Sequence, residues 1–168
     1  DEVIAITVEV DSTTGEINDS VIDSIRIDND EGDHPDMIKI SDSIMAIVYR
    51  DDDEDEGYIK TIEIDPYGQI SNSTIDSYRY VNNKAANPRI ASVGDEIYAI
   101  AFRGNSNKGY VRTVQIEQDG NIVSSIIDEY KFNNSYALPR AFQKTQGDYY
   151  ALVYEDNNDR GVLITLEI

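Results

Sequence analysis

The stretch GYIKTIEIDPYGQISNSTIDSYRY, which covers residues 57–80, decides the fold. Its first half is rich in β-branched residues, with Ile59, Ile62 and Ile64 set among polar positions. Such a pattern is typical of a strand with a buried face. The residues Asp65-Pro66-Tyr67-Gly68 have turn chemistry, and the longer, more polar run that follows is typical of an outer strand. The stretch therefore predicts two strands joined by a turn.

The same pattern recurs along the chain. Residues 109–132 read GYVRTVQIEQDGNIVSSIIDEYKF, and VIAITVEV with GEINDSVIDSIRI repeats it near the start. The best landmark series is Thr7, Thr61, Thr113 and Thr165, spaced 54, 52 and 52 residues apart. Further series are Gly15, Gly68 and Gly120; Asp23, Asp76 and Asp128; Pro35, Pro88 and Pro139; Ala46, Ala99 and Ala151; and Gly57, Gly109 and Gly161. A fixed period of this length indicates a repeat architecture.

Each repeat contains four strand-like runs and none has convincing helical periodicity. We predict an all-β, β-propeller-like fold of three four-stranded repeats of roughly 52 residues plus an extra terminal strand. Residues 1–168 are expected to form a single repeat domain, with units at about 3–57, 58–109 and 110–161 and a closing strand at 162–168. We expect a strand content above about 40% and almost no helix.

The strand types can be ordered along the chain. If the run after each proline is strand A, the chain begins with strands C and D, passes through two complete sheets, and ends with A, B and C. Three repeats are too few for a ring, since propellers usually have about four to eight blades. The chain is then either a portion of a larger propeller or a subunit that completes its ring with other chains.

The composition limits the possible partners. The chain has 33 Asp and Glu residues against 14 Lys and Arg residues, which gives a net charge of −19. This charge repels phosphate backbones, so we expect no nucleic-acid partner. It attracts divalent cations and cationic partners, although high-salt adaptation would produce the same excess. Cysteine is absent, and no apolar run approaches the ~20 residues that a membrane span needs.

The phrases YAIAFRG, GYVRTVQI and GQISNSTIDSYRY resemble tandem repeats of secreted and cell-surface proteins of archaea, notably methanogens, and of some bacteria. The resemblance covers the whole chain. It implies a propeller-like extracellular or cell-surface module. It transfers no catalytic or binding residues, because that family is recognised by its structural positions.

Catalytic residues are not predicted. The only histidine, His34, precedes a repeat proline where the other copies have Asn87 and Leu138, so we interpret it as a turn residue. A Ser-His-Asp system needs an imidazole held between a carboxylate and a nucleophile. Paired carboxylates of a glycan-processing enzyme remain a third possibility among so many acids. We therefore expect a protein that is not an enzyme.

Calcium is the sharpest chemical hypothesis. The run 28–33 offers carboxylates at Asp28, Asp30 and Asp33 with a glycine between them, and hard cations prefer such oxygen ligands. A second acidic run covers residues 51–56, but its counterparts in the other repeats are less acidic. Calcium binding would thus belong to one loop rather than to the repeat. The alternative is that both runs are solvated loop tips.

A ligand site is predicted where the innermost strands begin. Asp36, Arg89 and Arg140 follow the repeat prolines, and the start of the innermost blade strand lies at the mouth of a propeller channel. Two arginines there would bind an anion or carboxylate, or would simply offset neighbouring acids. Glycosylation sequons begin at Asn18, Asn72 and Asn133.

These features favour a non-enzymatic extracellular or cell-surface binding or adhesion module that acts through propeller loops and self-association. The alternative is a structural subunit of a surface layer or extracellular filament. Residues 3–10 and 162–168 are both apolar strands of type C, and each is predicted to lack a neighbour. Because exposed apolar strand edges tend to pair, we expect a homo-oligomer or polymer joined by these terminal strands. Glycans or surface proteins are the other expected partners.

Overall fold

A computed structural model describes residues 2–28, 32–53 and 55–168. Strands account for 67% of it, and all paired strands are antiparallel. The only helical element among the described residues is a short 3₁₀ turn at Asn105–Asn107. The prediction of an all-β chain with almost no helix is therefore confirmed.

Within the described residues, thirteen strands form four sheets, which we number in chain order. Sheet I contains β1 (Val3–Val10) and β2 (Ile17–Asp28). Sheet II contains β3 (Gly32–Lys39), β4 (Ile44–Asp51), β5 (Glu56–Glu63) and β6 (Asp76–Val81). Sheet III contains β7 (Ala86–Gly94), β8 (Ile97–Arg103), β9 (Gly109–Ile116) and β10 (Ile122–Asn133). Sheet IV contains β11 (Leu138–Lys144), β12 (Tyr149–Glu155) and β13 (Gly161–Glu167).

The sheets have two, four, four and three strands, and neighbours within each sheet are neighbours in sequence. This is the order of strand types that the sequence predicts, with the incomplete sheets at the two ends. The sheets follow one another as an open row, because the first strands of sheets II, III and IV contact each other in turn. The described residues do not close a ring.

The register of the strands follows the landmark threonines. Thr61 lies opposite Ala46 and Asp76, and Thr113 lies opposite Ala99 and Asp128. Thr165 lies opposite Ala151 in the same way, and Thr7 lies opposite Asp23. The four threonines thus occupy the same position in the third strand type, as their spacing predicts.

Three hydrophobic clusters hold the row together, one between each pair of neighbouring sheets. Ile27 and Tyr49 belong to the cluster between sheets I and II. Ile59 and Ile100 belong to the largest one, between sheets II and III. Tyr150 and its neighbours join sheets III and IV. Because alternate residues of a strand face opposite sides of the sheet, the central sheets contribute to a core on both faces.

Hydrogen bonds also join neighbouring sheets in a repeated arrangement, which we call the sheet link. The hydroxyl of Thr61 donates to the carbonyl oxygen of Gly120 in the next sheet at 2.7 Å. The Oδ2 atom of Asp76 accepts the backbone N–H of Ile122 at 2.8 Å. Sheets I and II have the same link, in which Thr7 donates to Gly68 and Asp23 accepts from Ile70, again at 2.7 and 2.8 Å.

Packing explains why glycine recurs at the start of the third strand in sheets II and III. A Cβ atom on Gly109 would lie 2.3 Å from Cζ of Phe132, and one on Gly57 would lie 2.5 Å from Cζ of Tyr80. Both aromatic rings come from the fourth strand of the same sheet. Gly161 has no such neighbour within 4 Å among the described residues. The glycines therefore leave room for an aromatic ring on the outer strand.

Candidate functional site at the proline end of the sheets

The two ends of the sheets differ in their loops. The first strand of sheets II, III and IV has its proline near its start, and the loops that join the second strand to the third lie at the same end. We call this end the proline end. The opposite end carries the short turns that contain Gly15, Gly68 and Gly120.

The backbone at the proline end is irregular in each sheet. The pairing of the first two strands shifts between Asp33 and Asp36, between Ala86 and Arg89, and between Pro139 and Ala141. Eight described non-glycine residues have positive φ. Six of them lie at the proline end: His34, Asp55, Asn87, Ser106, Asn107 and Asp159. Such conformations cost energy and concentrate at binding sites, and bulges re-aim side chains.

Asp36, Arg89 and Arg140 lie on the first strands of three successive sheets, as the sequence predicts. The carboxylate of Asp36 accepts the backbone N–H of Ile90 at 3.0 Å, and Nε of Arg89 donates to the carbonyl oxygen of Arg140 at 3.0 Å. Two of the three side chains therefore tie neighbouring sheets together. Arg140 is exposed and contacts Glu155, with 2.6 Å between Nη2 and Oε2.

Two carboxylates of the predicted calcium loop, Asp28 and Asp33, already have cationic partners. Asp28 accepts hydrogen bonds from the Tyr49 hydroxyl at 2.6 Å and from the Lys60 ammonium at 3.2 Å. Asp33 lies 3.6 Å from Nη1 of Arg50. Asp30 lies outside the described residues, which contain no group of three or more candidate metal ligands. Calcium binding by this loop stays a prediction, and the ion would have to compete with these bonds.

Two tyrosines near this end, the buried Tyr49 and the half-buried Tyr58, have raised pKa values. Burial, and then the hydrogen bond to Glu56, raise the pKa of Tyr58 to about 12. Burial and the Asp28 carboxylate also raise the pKa of Tyr49 well above its ordinary value of 10.0. Because both phenols stay protonated at neutral pH, they act as hydrogen-bond donors rather than as bases.

The sequence predicts His34 in a turn, but the structure places it within β3, at the bulge between Asp33 and Asp36. Its Nδ1 atom lies 2.5 Å from Oδ2 of Asp33, and its side chain is about half exposed. The described residues provide no hydroxyl group that hydrogen-bonds to this imidazole. The geometry therefore gives His34 a carboxylate neighbour without the nucleophile that a hydrolytic triad needs.

A polar groove opens at the proline end between sheets II and III, and sequence patterns did not reveal it. The loop after β6 contributes Asn82, Asn83 and Lys84, and the loop after β8 contributes Asn105. Tyr110 and Arg112 of β9 form its floor, with the Tyr110 ring stacked on the buried Phe102 ring at 5.8 Å between centroids. Asparagine-rich loops are the only sequence signal for it, and such loops also occur without a ligand.

The groove walls are tied to one another. Lys84 Nζ donates to Oδ1 of Asn107 at 2.9 Å, and the backbone N–H of Ala137 donates to the carbonyl oxygen of Asn107 at 3.0 Å. One residue thus joins loops from three successive sheets. Arg112 contacts Glu129, with 2.7 Å between Nε and Oε2. These bonds give the groove a fixed shape.

The three sequons have different surroundings. Asn18 on β2 and Asn72 in the turn after β5 are exposed. Asn133 ends β10 half-buried, and its amide donates to the Tyr154 hydroxyl at 3.1 Å. A glycan would thus be accommodated most easily at the exposed Asn18 and Asn72, and less easily at the half-buried Asn133.

Comparison of the chain with protein-family models found no match, and comparison with curated proteins found none. The described residues form no helix that is long and apolar enough to cross a membrane.

Proposed function

We propose that the chain is a non-enzymatic binding or adhesion module of an extracellular or cell-surface protein, built as part of a β-propeller. The row of antiparallel sheets with adjoining first strands supports a propeller arrangement. The resemblance of its repeats to those of archaeal and bacterial surface proteins supports the location. The net charge of −19 suits a soluble surface module.

The observation that carries the proposal is the convergence of loops from three sheets on Asn107 at the proline end. Binding residues commonly lie on loops that a rigid scaffold positions. The six residues with positive φ at this end show where the backbone departs from the regular sheets. Arg89 and Arg140 lie at the same end, on the neighbouring first strands.

The groove chemistry favours a polar, hydroxyl-rich ligand such as a glycan. Asparagine amides donate and accept hydrogen bonds at once, which suits vicinal hydroxyl groups. The Tyr110 ring offers an apolar surface with a polar tip. Lys84 and Arg112, which line the groove, favour a glycan that carries a carboxylate.

Glycan binding by groove variants tests the proposal. We expect the chain to bind a subset of an array of neutral and acidic glycans, and Asn83→Ala with Asn105→Ala to abolish this binding. The matched control is Asn72→Ala with Asn121→Ala, which changes two exposed asparagines at the opposite end and should leave binding unchanged. Equal loss in both variants, or no binding by the parent chain, would count against the proposal.

A structural subunit of a surface layer or filament is the second candidate. It is favoured by large apolar side chains that are exposed on the two end sheets, including Ile6 at 57% and Leu163 at 66%. The strands β1 and β13 each pair with only one described strand, which leaves the edges for the inter-chain strand pairing that the sequence predicts. Polymers of the isolated chain would favour this candidate.

A further inference from the structure

The outer face of sheet I is apolar and uncovered. Alternate residues of β1 point to this side, and their exposed fractions are 53% for Ile4, 57% for Ile6, 45% for Val8 and 53% for Val10. Ile17, which pairs with Val10 at the start of β2, is 65% exposed. These residues form an apolar surface on the face of β1 opposite to Val3, which packs in the cluster between sheets I and II. A surface of this kind is typical of an interaction site.

The outer face of sheet IV, at the other end of the row, is uncovered as well. Leu163 on β13 is 66% exposed, and Tyr149 on β12 is 53% exposed. The landmark Thr165 lies beside them and is exposed. In the strand register, these three positions correspond to Ile59, Ile44 and Thr61 of sheet II.

The junction between sheets II and III shows what kind of surface would pack against the outer faces of sheets I and IV. There Ile59 and Thr61 are fully buried, and Ile44 is 5% exposed, because sheet III covers them. Sheet III contributes Val114 and Ile122 to the same junction, at 0% and 5% exposure. Val114 and Ile122 hold the register positions of Val8 and Ile17 in sheet I. The outer face of sheet IV therefore matches one half of a junction, and the outer face of sheet I matches the other half.

We propose that the outer face of sheet I in one copy of the chain packs on the outer face of sheet IV in a second copy, as sheet III packs on sheet II. The Thr165 hydroxyl then donates to the carbonyl oxygen of Gly15 in the second copy, which repeats the bond from Thr61 to Gly120. Ile17 enters the position of Ile122, against Tyr149 and Leu163. This deepens the self-association that is part of the proposed function.

The turn that would enter the junction is already formed. Gly15, Gly68 and Gly120 have φ values of 76°, 80° and 93°. The Gly15 N–H donates to the carbonyl oxygen of Asp11 at 2.8 Å, and the side chain of Asp11 accepts from the N–H groups of Thr13 and Thr14 at 2.7 and 2.8 Å. Binding therefore requires little new ordering of the chain.

The two faces are different surfaces, so the contact is head-to-tail. Head-to-tail contacts give closed rings where the rotation closes and filaments where it does not. Each copy carries a charge of −19, and the copies repel each other across an apolar contact. Since salt screens this repulsion, we expect self-association to strengthen as the salt concentration rises.

Sedimentation velocity of two variants and their mixture tests the inference. Ile17→Asp disables the face on sheet I, and Leu163→Asp disables the face on sheet IV. Both positions are about two thirds exposed, so neither change disturbs the folded monomer. We expect the parent chain to form oligomers at high salt and each variant alone to remain monomeric. An equimolar mixture retains one intact pair of faces and should give a dimer and nothing larger.

The control is Ile127→Asp on sheet III, which introduces the same charge at an isoleucine that is 53% exposed outside both end faces. It should associate like the parent chain. Thr165→Val should weaken association by about 2- to 10-fold, since it removes one hydrogen bond. A monomeric parent chain, oligomers of either single variant, or a mixture without dimers would overturn the inference. Because sedimentation measures only the mass of the assembly, a failure of this inference can be distinguished from a failure of the proposed glycan binding.

Discussion

The landmark threonine of sheet II has a hydrogen-bond acceptor in the next sheet, whereas the landmark threonine of sheet III has none among the described residues. Thr61 is fully buried and donates to Gly120 of the next sheet. Thr113 holds the same register position but is half-buried, and its hydroxyl makes no hydrogen bond among the described residues. The difference arises in sheet IV, whose three strands do not include the fourth strand and the turn before it.

The comparison shows that each repeat is stabilised by its neighbour as much as by itself. Asp76 accepts the N–H of Ile122 from the next sheet, whereas the one hydrogen bond of the Asp128 side chain within the described part of the chain comes from the N–H of Glu129 beside it. Matching landmark residues thus make different hydrogen bonds in the two sheets. This behaviour is typical of repeat proteins, whose stability sums the repeats and the interfaces between nearest neighbours.

The largest expected difference is between Gly109 and Gly161. Gly109→Ala places a methyl group 2.3 Å from Cζ of Phe132, and such overpacking should cost about 3 kcal/mol. Gly161→Ala meets nothing within 4 Å among the described residues and should change the stability by less than about 0.5 kcal/mol. Urea unfolding of both variants measures the difference. Equal losses would show that the repeat glycine is needed for its backbone rather than for the ring.

The second-largest difference in stability is expected between variants of the two landmark aspartates, Asp76 and Asp128. Asp76→Ala leaves the N–H of Ile122 without its carboxylate acceptor, so we expect a loss of about 2 kcal/mol, as for hydrogen bonds to charged groups. Asp128→Ala removes an exposed carboxylate that bonds only to its own strand and should cost about 0.5 kcal/mol. The midpoints of urea unfolding compare the two. A larger effect at Asp128 would contradict the assignment of the link.

Substitution of the threonines should also cost more stability in sheet II than in sheet III, by a smaller difference than for the aspartates. Thr61→Val keeps the shape of a fully buried side chain but removes the hydrogen bond to Gly120, which should cost about 1.5 kcal/mol. Thr113→Val should be neutral within about 0.5 kcal/mol. Differential scanning calorimetry of both variants checks the values. Similar melting temperatures would mean that the sheet II hydroxyl contributes no net stability.

The sequence predicted the strands, their order and their register, because these depend on local signals. The two-residue periodicity of residues such as Ile62 and Ile64 and the turn at Gly68 lie within one repeat. The spacing of the threonines then carried the register from sheet to sheet. The predicted first strands also lie side by side, and the Asp36 carboxylate accepts the N–H of Ile90 on the neighbouring strand.

The sequence did not predict the contacts between sheets. The carboxylate of Asp28 appeared available for calcium, but Lys60 from β5 reaches it across 32 positions of sequence. The groove around Asn105 is built from loops of two sheets, and no pattern within one repeat indicates it. The sheet links were missed for the same reason, although their threonine, glycine and aspartate residues belong to the landmark series of the repeat.

The smallest expected effect concerns the ion pair between Asp156 and Arg160, which lies in the loop between β12 and β13 and forms without contact to a neighbouring sheet. Hydrogen bonds from the Arg160 side chain, at 2.9 and 2.6 Å, lower the pKa of Asp156 from its ordinary value of 3.8 to about 2. A lowered pKa means that the stabilisation is fully present above pH 3.8 and is lost as the pH falls through about 2. We therefore expect the amide resonances of Asn158 and Arg160, both bonded to Oδ1 of Asp156, to shift only near pH 2 in an NMR titration. Arg160→Gln should move that transition toward 3.8. A transition of the parent chain already near pH 4 would show that the pair is solvated and that sheet IV lacks even this local support.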